Sequence, residues 1–356
     1  METTTSSDDI FKNIQNRHGE EIQYFGRLLG KGRDGEIREM KMKNNNINYV
    51  GKLIKKGKRE INEQRYVYEL RAPKLIKVKD IFKEEINKET YYLIIMEKAI
   101  LRDVGKLIEF YYKHNLLKLI IDPFNEKIGD NFLRLLVIQI VEGLEILHRN
   151  YFVHFDIKPE NILISINLNI KLADFSLLRK VKDDDGKVKI PGGTPGYLTP
   201  EYFLVDKLPP SEARKEDYFA LGSSIFYIKY GESLIKYTKY EKPLLTSERI
   251  NDILHIKTRT KIYSNQLLDQ NLIDLLSNLL QYKPNDRSSF EEIYRNKWLN
   301  TNKDIIDEIC FINEGDEEKM IIELQKSDFL IEKKKEKEQK NIQKQKKFRF
   351  KKKGKN

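Results

Sequence analysis

At 356 residues the chain exceeds one average domain and falls short of three, so one two-lobed domain with flanking tails, or two small domains, is expected. Apolar residues at 39% and charged residues at 34% exclude a collagen-like rod and wholesale disorder. The formal charge of +11 lies in residues 333–356, where 13 basic residues face two acidic ones; the rest carries 53 of each sign, giving no ground for a charged groove on the folded part.

Met1-Glu2-Thr3-Thr4-Thr5 lacks the basic-then-apolar pattern of a secretory signal, and residues 1–22, polar and without clear periodicity, predict a flexible arm. Tyr24–Leu29, Glu36–Lys41, Tyr49–Ile54 and Tyr91–Met96 read as strands, with Asn44-Asn45-Asn46 as a turn. Residues 58–71 set Ile61, Val67, Tyr68 and Leu70 among Arg and Glu, predicting a helix that Pro73 stops. After Lys98 the period turns helical. Phe132, Leu135, Leu136, Ile140, Leu144 and Leu147 mark a long buried helix ending near His148-Arg149, and further helices are expected around 213–230, 267–281 and 289–299. Between them, residues 151–201 hold short strands (Ile162–Ile164, Ile170–Leu172) among loops rich in Asp, Lys, Gly and Pro. Long ordered loops inside a compact domain are usually functional, which makes that stretch the place to look for chemistry. Cys310 has no cysteine partner and no stretch reaches 18 uninterrupted apolar residues; a reducing, intracellular chain, cytoplasmic or nuclear, with no transmembrane segment is expected. Residues 300–332 form an extension with an amphipathic helix predicted at Lys319–Ile331, and residues 333–356 a basic, disordered tail.

Gly30, Gly32 and Gly35 form a G-x-G-x-x-G set between two predicted strands. Glycines let backbone amides approach phosphates with no Cβ in the way. A dinucleotide-binding version would run into a helix, whereas this one runs into a strand. Lys52 closes the third strand and Glu63 lies on the following helix; a lysine pinned by a glutamate suits nucleotide phosphates, although this region is full of Lys and Glu that also read as solvated faces. His154-Phe155-Asp156-Ile157-Lys158-Pro159-Glu160-Asn161 is followed by Asp174-Phe175-Ser176. Asp156 suits acceptance of a hydroxyl proton, Asn161 and Asp174 are oxygen ligands for Mg²⁺, and Lys158 suits neutralisation of a transferring phosphoryl group.

In order and spacing these elements resemble the eukaryotic protein kinase family, from the glycine loop through Leu299. The resemblance implies an α+β, bilobal fold over residues 23–299: a small β-rich N-lobe with one helix to residue 98, and a larger, mostly helical C-lobe. It implies ATP and Mg²⁺, with Gly30, Gly32 and Gly35 over the nucleotide, Lys52 on its phosphates and Glu63 as partner of Lys52. Met96 falls at the gatekeeper position and Glu97 to Ala99 at the hinge, with Leu29, Ile37, Val50 and Leu163 sandwiching adenine. Asp156 matches the catalytic base, Lys158 the γ-phosphate lysine of Ser/Thr-specific members, and Asn161 and Asp174 the metal ligands. Gly193 to Glu201 resembles the substrate-facing loop and its A-P-E motif, with Thr199 in place of alanine. Thr194 would bond Asp156 and Lys158. Glu201, Arg287 and Asp217 match structural positions, the first two as a pair and the third as a brace for the catalytic loop. Glu160 stands where related kinases meet a basic residue N-terminal to the acceptor, so Ser/Thr protein substrates with a basic preference are implied.

Phe155 replaces the arginine that normally clamps an activation-segment phosphate, and residues 177–193 contain no Ser, Thr or Tyr. The expectation is a kinase that needs no phosphorylation in that segment. Ser176 replaces the glycine of D-F-G and costs backbone freedom. The alternative is a pseudokinase, a nucleotide-binding scaffold with little phosphotransfer. For the tail, solvated disorder competes with contact to an anionic membrane, nuclear import factors or nucleic acid.

Overall fold

The computed structural model describes residues 6–32, 35–43, 48–56, 61–99, 103–108, 127–164, 169–231, 233–234 and 270–301. The expected turn at Asn44-Asn45-Asn46, the helix at 319–331, Cys310 and the basic tail lie outside them. Five antiparallel strands build the N-terminal sheet: β1 (Ile22–Gly32), β2 (Gly35–Met42), β3 (Asn48–Lys55), β4 (Val78–Ile86) and β5 (Glu89–Glu97), in the order β1-β2-β3-β5-β4. Strand β4 was not among the four predicted. It reads Val-Lys-Asp-Ile-Phe-Lys-Glu-Glu-Ile, and its charges fit an edge strand better than a buried one.

The expected flexible arm at residues 1–22 is corrected: Ser7–Arg17 is a helix, α1. Ser6 caps it by accepting from Asp9 N, Asp8 and Asp9 sit in its first turn, and Arg17 in its last, all favourable to the helix dipole. Its stripe of Ile10, Phe11 and Ile14 is too short to stand out in sequence. The stripe is buried because the sheet offers it a partner: Ile22, Met40, Met42, Tyr49, Leu53, Leu93 and Ile95 pack with it in one cluster. Such a short helix draws its stability from this packing rather than from propensity. Ion pairs from Arg38 to Asp8 and from Arg17 to Glu84, with a hydrogen bond between His18 and Glu84, fasten it at both ends. Strand alternation turns Val50 and Lys52 away from Tyr49 and Leu53, so α1 covers the sheet face opposite the candidate nucleotide site.

Helix α2 (Asn62–Leu70) ends at Arg71 in the left-handed region, two residues before Pro73, and buries Val67 and Tyr68. In the helical region α3 (Lys127–Arg149) ends where its sequence period predicts, and α4 (Pro200–Leu204) is short. Helix α5 (Pro210–Tyr230) is the central post, with Ala213, Asp217, Phe219, Leu221, Ile225 and Phe226 all buried. Helices α6 (Gln270–Leu279), α7 (Phe290–Arg295) and α8 (Lys297–Asn300) complete it; the one helix expected at 289–299 is broken at Asn296, whose side chain caps α8. Short pairs link the loops between them: β6 (Phe152–Val153) with β9 (Arg179–Lys180), β7 (Ile162–Ile164) with β8 (Ile170–Leu172), and β10 (Val188–Lys189) with β11 (Lys207–Leu208). Among the described residues no helix is long and apolar enough to cross a membrane.

Candidate active site

Asp156 is the most densely supported side chain of the segment. Its Oδ1 accepts from the Thr194 hydroxyl at 2.7 Å, and its Oδ2 accepts from Lys158 Nζ at 2.9 Å and Asn161 Nδ2 at 3.0 Å. Lys158 also donates to Thr194 Oγ1 at 2.6 Å, so the expected contact of Thr194 with both residues is present. Asn161 donates to the Asp156 carbonyl at 2.7 Å through the same amide nitrogen, which turns its Oδ1 outward from this pair. Beneath the loop Asp217, fully buried, accepts from the backbone N–H of His154 and of Phe155, each at 2.9 Å, and from His148 at 2.8 Å. Phe155 has φ 63°, a left-handed conformation that a side chain adopts only when its surroundings enforce it. Asp217 supplies that enforcement from the central helix.

Asp174 is also left-handed, at φ 58°, and its Oδ1 accepts from Lys52 Nζ at 2.7 Å. Burial raises the Asp174 pKa, but the charge and hydrogen bond of Lys52 more than offset it and leave the carboxyl below its ordinary value. The pair therefore stabilises the fold at neutral pH, and that contribution fades as pH falls through the lowered value. Glu63, the expected partner of Lys52, stands in the first turn of α2, but its side chain lies outside what is described. Aromatic edges join α2 to the loop: Tyr68 against Phe175, and Phe175 against His154. Ser176 lies in a 3-10 turn and is absent from the residues with positive φ, so its side chain brings no backbone strain.

Register places the nucleotide-facing candidates. Ile37 pairs with Gly30 and Lys52, and Val50 with Met96; Leu29, Ile37, Val50 and Leu163 are half-buried and Met96 is buried. Gly35 sits at φ +131°, where a Cβ would run into the Leu53 carbonyl, so glycine is required there. Among the described residues nothing bonds to the backbone of Ala99, while Glu97 bonds Lys77 through both its backbone N–H and its side chain. Asn161 and Asp174 form a hard oxygen set. Mg²⁺ is commonly held by one or two protein oxygens and the phosphates of its nucleotide, and Asn161 and Asp174 offer oxygens of that kind.

Glu201 accepts from Arg287 Nη2 through both oxygens, at 2.7 and 2.8 Å, in a buried pair. Glu160 opens to solvent on one side, with protein on the other. Desolvation on its inner side and the Asp103 and Asp156 carboxylates hold it above the usual range, against the pull of a backbone hydrogen bond and Lys158. Asp103 was missed in the sequence: it bridges to Leu163, and its Oδ1 and the Glu160 side chain both crowd Gly105. The only signal was a carboxylate a few residues beyond the hinge.

Phe155, which stands where the family usually has arginine, lies in an apolar cluster. It packs with Val153, Val181, Ile190, Leu208 and Ala213, two of which, Val181 and Ile190, flank residues 182–189. Arg214 adds a 2.6 Å ion pair to Asp183 and a bond to the Val181 carbonyl. Pairing of Val188 with Leu208 and of Val153 with Arg179 pins both ends of the segment.

This combination of sheet, central post and loop is a nucleotide-dependent phosphotransferase architecture. The protein kinase domain family model matches residues 24–299, and the chain belongs to that family. It is 27% identical over 307 residues to serine/threonine-protein kinase 17A of Oryctolagus cuniculus, covering 82% of this chain and 70% of that protein. It is 27% identical over 222 residues to serine/threonine-protein kinase MRCK beta of Homo sapiens (61% of this chain, 12% of that protein). Against serine/threonine-protein kinase PLK4 of Drosophila persimilis it is 26% identical over 287 residues (78% and 33%). The chain thus spans a small part of the larger relatives.

Proposed function

We propose that this chain is a serine/threonine protein kinase, with residues 23–299 as its catalytic body, that needs no phosphate in its activation segment. The observation that carries the reading is Asp156, held by Thr194, Lys158 and Asn161 within one hydrogen-bonded set, with Lys52 and Asp174 paired at 2.7 Å across the cleft. Asp156 orients the acceptor hydroxyl and takes its proton. Lys158 stands beside it as the nearest cation, and Lys52 faces the nucleotide phosphates from β3. Asn161 and Asp174 would hold Mg²⁺, which when bound to ATP neutralises charge developing on the phosphates. The names of the relatives support Ser/Thr acceptors. The intact set of Lys52, Asp156, Asn161 and Asp174 disfavours a silent scaffold.

Glu160 and Asp103 extend the reading to substrate. Desolvation, with the Asp103 carboxylate beside it, holds the Glu160 pKa up even though Lys106 pairs with Asp103 at 3.4 Å and Lys158 acts on Glu160, and a basic residue N-terminal to the acceptor would bring a further cation to Glu160. Serine peptides with and without preceding arginines, tested for Mg²⁺-dependent transfer, check this. The arginine peptide is expected to be favoured, and Glu160→Gln to raise its KM about tenfold, the scale of one charge-assisted contact, while barely moving the neutral peptide. Because the Glu160 pKa is raised, the preference should weaken as pH falls through that value and the carboxylate is protonated. An equal effect of Glu160→Gln on both peptides would remove the assignment.

A further inference from the structure

Glu216 lies in Arg214-Lys215-Glu216-Asp217, a run that reads as a solvated helix face, yet it is 6% exposed. Its Oε2 accepts from the Thr199 hydroxyl at 2.7 Å, and its Oε1 is buried with no hydrogen-bond partner. Glu216 also lines a cavity of about 10 Å³ bounded by Asp156 on the catalytic loop and by Gly193, Thr194, Tyr197 and Leu198 on the substrate-facing loop. That volume admits about one water molecule. A buried oxygen without a partner carries its desolvation cost uncompensated, so the native chain has a reason to pair or protonate it.

We infer that Glu216 is a positioning residue for the substrate-facing loop, acting through Thr199 and through the cavity that its side chain helps to line. The inference rests on reading residues 191–199 as the loop that receives the peptide. Thr199 replaces the alanine of A-P-E, and the structure gives its hydroxyl two uses: it caps α4 by accepting from Tyr202 N and donates its proton to Glu216. One hydroxyl thereby fastens the end of the loop to the central post. Gly193 sits so close that a Cβ would lie 2.9 Å from Leu198 Cδ2 and 3.2 Å from the Phe155 carbonyl, so the loop has little slack. With the Thr199 proton directed at Oε2, a neutral Glu216 carries its own proton on Oε1 as a donor to a water or a loop carbonyl. Ionised, it offers only acceptors there.

The charged groups around it decide which form holds. Arg287 favours the ionised carboxyl; Glu201 from α4 and Asp217 from its own helix oppose it. Asp156 and Tyr197 border the same cavity, and Lys158 is engaged with Asp156 and Thr194. Burial outweighs Arg287 and pushes Glu216 up to about 8. Since this lies above the ordinary 4.5, folding takes up a proton: the contribution of Glu216 to stability declines as pH rises from the ordinary value to about 8 and is constant beyond.

The test uses the full chain with a serine peptide preceded by arginines as probe. Peptide KM, ATP KM and kcat are followed from neutral to alkaline pH, beside amide hydrogen exchange of residues 191–199, for the native chain, Glu216→Gln, Thr199→Ala and Thr199→Ser. The native peptide KM should rise several-fold as pH passes about 8, with ATP KM unmoved, and Glu216→Gln should abolish that rise. Thr199→Ala should raise peptide KM and speed loop exchange at neutral pH, and Thr199→Ser should restore both. Persistence of the rise in Glu216→Gln, or equal behaviour of the alanine and serine variants, would overturn the inference. If no peptide were phosphorylated, the reading of the site would fail while loop exchange still decided the role of Glu216: unchanged exchange in Thr199→Ala would refute it.

Discussion

Asp156→Asn is expected to lower kcat by roughly 10²–10⁴-fold, the scale of a lost general base, with ATP binding retained. Three donors converge on this carboxylate, from Thr194, Lys158 and Asn161. An asparagine keeps the shape but offers one acceptor oxygen, so its amide would face Thr194 on one side or Lys158 and Asn161 on the other. It also loses the basic oxygen that takes the acceptor proton. Lys52 and Asp174, the proposed nucleotide-facing pair, are not in that set and should still bind ATP. Single-turnover transfer of labelled phosphate, with ATP affinity measured separately, reads the two effects. A variant that transferred phosphate at the native rate would move the chemistry away from Asp156.

Phe155→Ala is expected to cost about 3–5 kcal/mol, the range for removing a buried phenylalanine, and to lower activity with it. Its ring joins the catalytic loop to Val181 and Ile190 in the segment and to Leu208 and Ala213 near the central helix. Removing it leaves a cavity between elements joined otherwise by two-residue strand pairs, a few backbone hydrogen bonds, the Arg214 bond to the Val181 carbonyl and the half-exposed ion pair of Arg214 with Asp183. Surface pairs of that kind add little, so the apolar contact dominates. Phe155→Arg, which restores the residue usual in the family, should be worse rather than neutral, because its charge would enter an apolar cluster. Urea unfolding and kcat/KM measured together check both variants. Wild-type stability in the alanine variant would show that the segment is held by something else.

Much of the site was legible because phosphoryl transfer fixes residue types at fixed spacings. The folded chain pairs Lys52 with Asp174 and, separately, Asn161 with Asp156. The long helix α3 was legible for a simpler reason, its unbroken apolar period. What escaped depended on partners far away in sequence. Helix α1 carries three buried apolar residues in eleven, and only the outer face of the sheet makes them a core. Glu216 sits between charged neighbours that look solvated, and its burial follows from Thr199, 17 positions earlier. The replacement of arginine by Phe155 could be read in the sequence, but its apolar contacts come from residues as far along the chain as Ala213.

The proposal for this kinase is that its catalytic arrangement is assembled without phosphate in the activation segment. Its most direct test is Mg²⁺-dependent transfer to a serine peptide by chain treated with a phosphatase and shown by mass spectrometry to carry no phosphate between residues 174 and 201. The account predicts an initial rate equal to that of untreated chain, with no lag. A phosphate-free chain that stays silent until a phosphate appears at Ser176, Thr194, Tyr197 or Thr199 would contradict it.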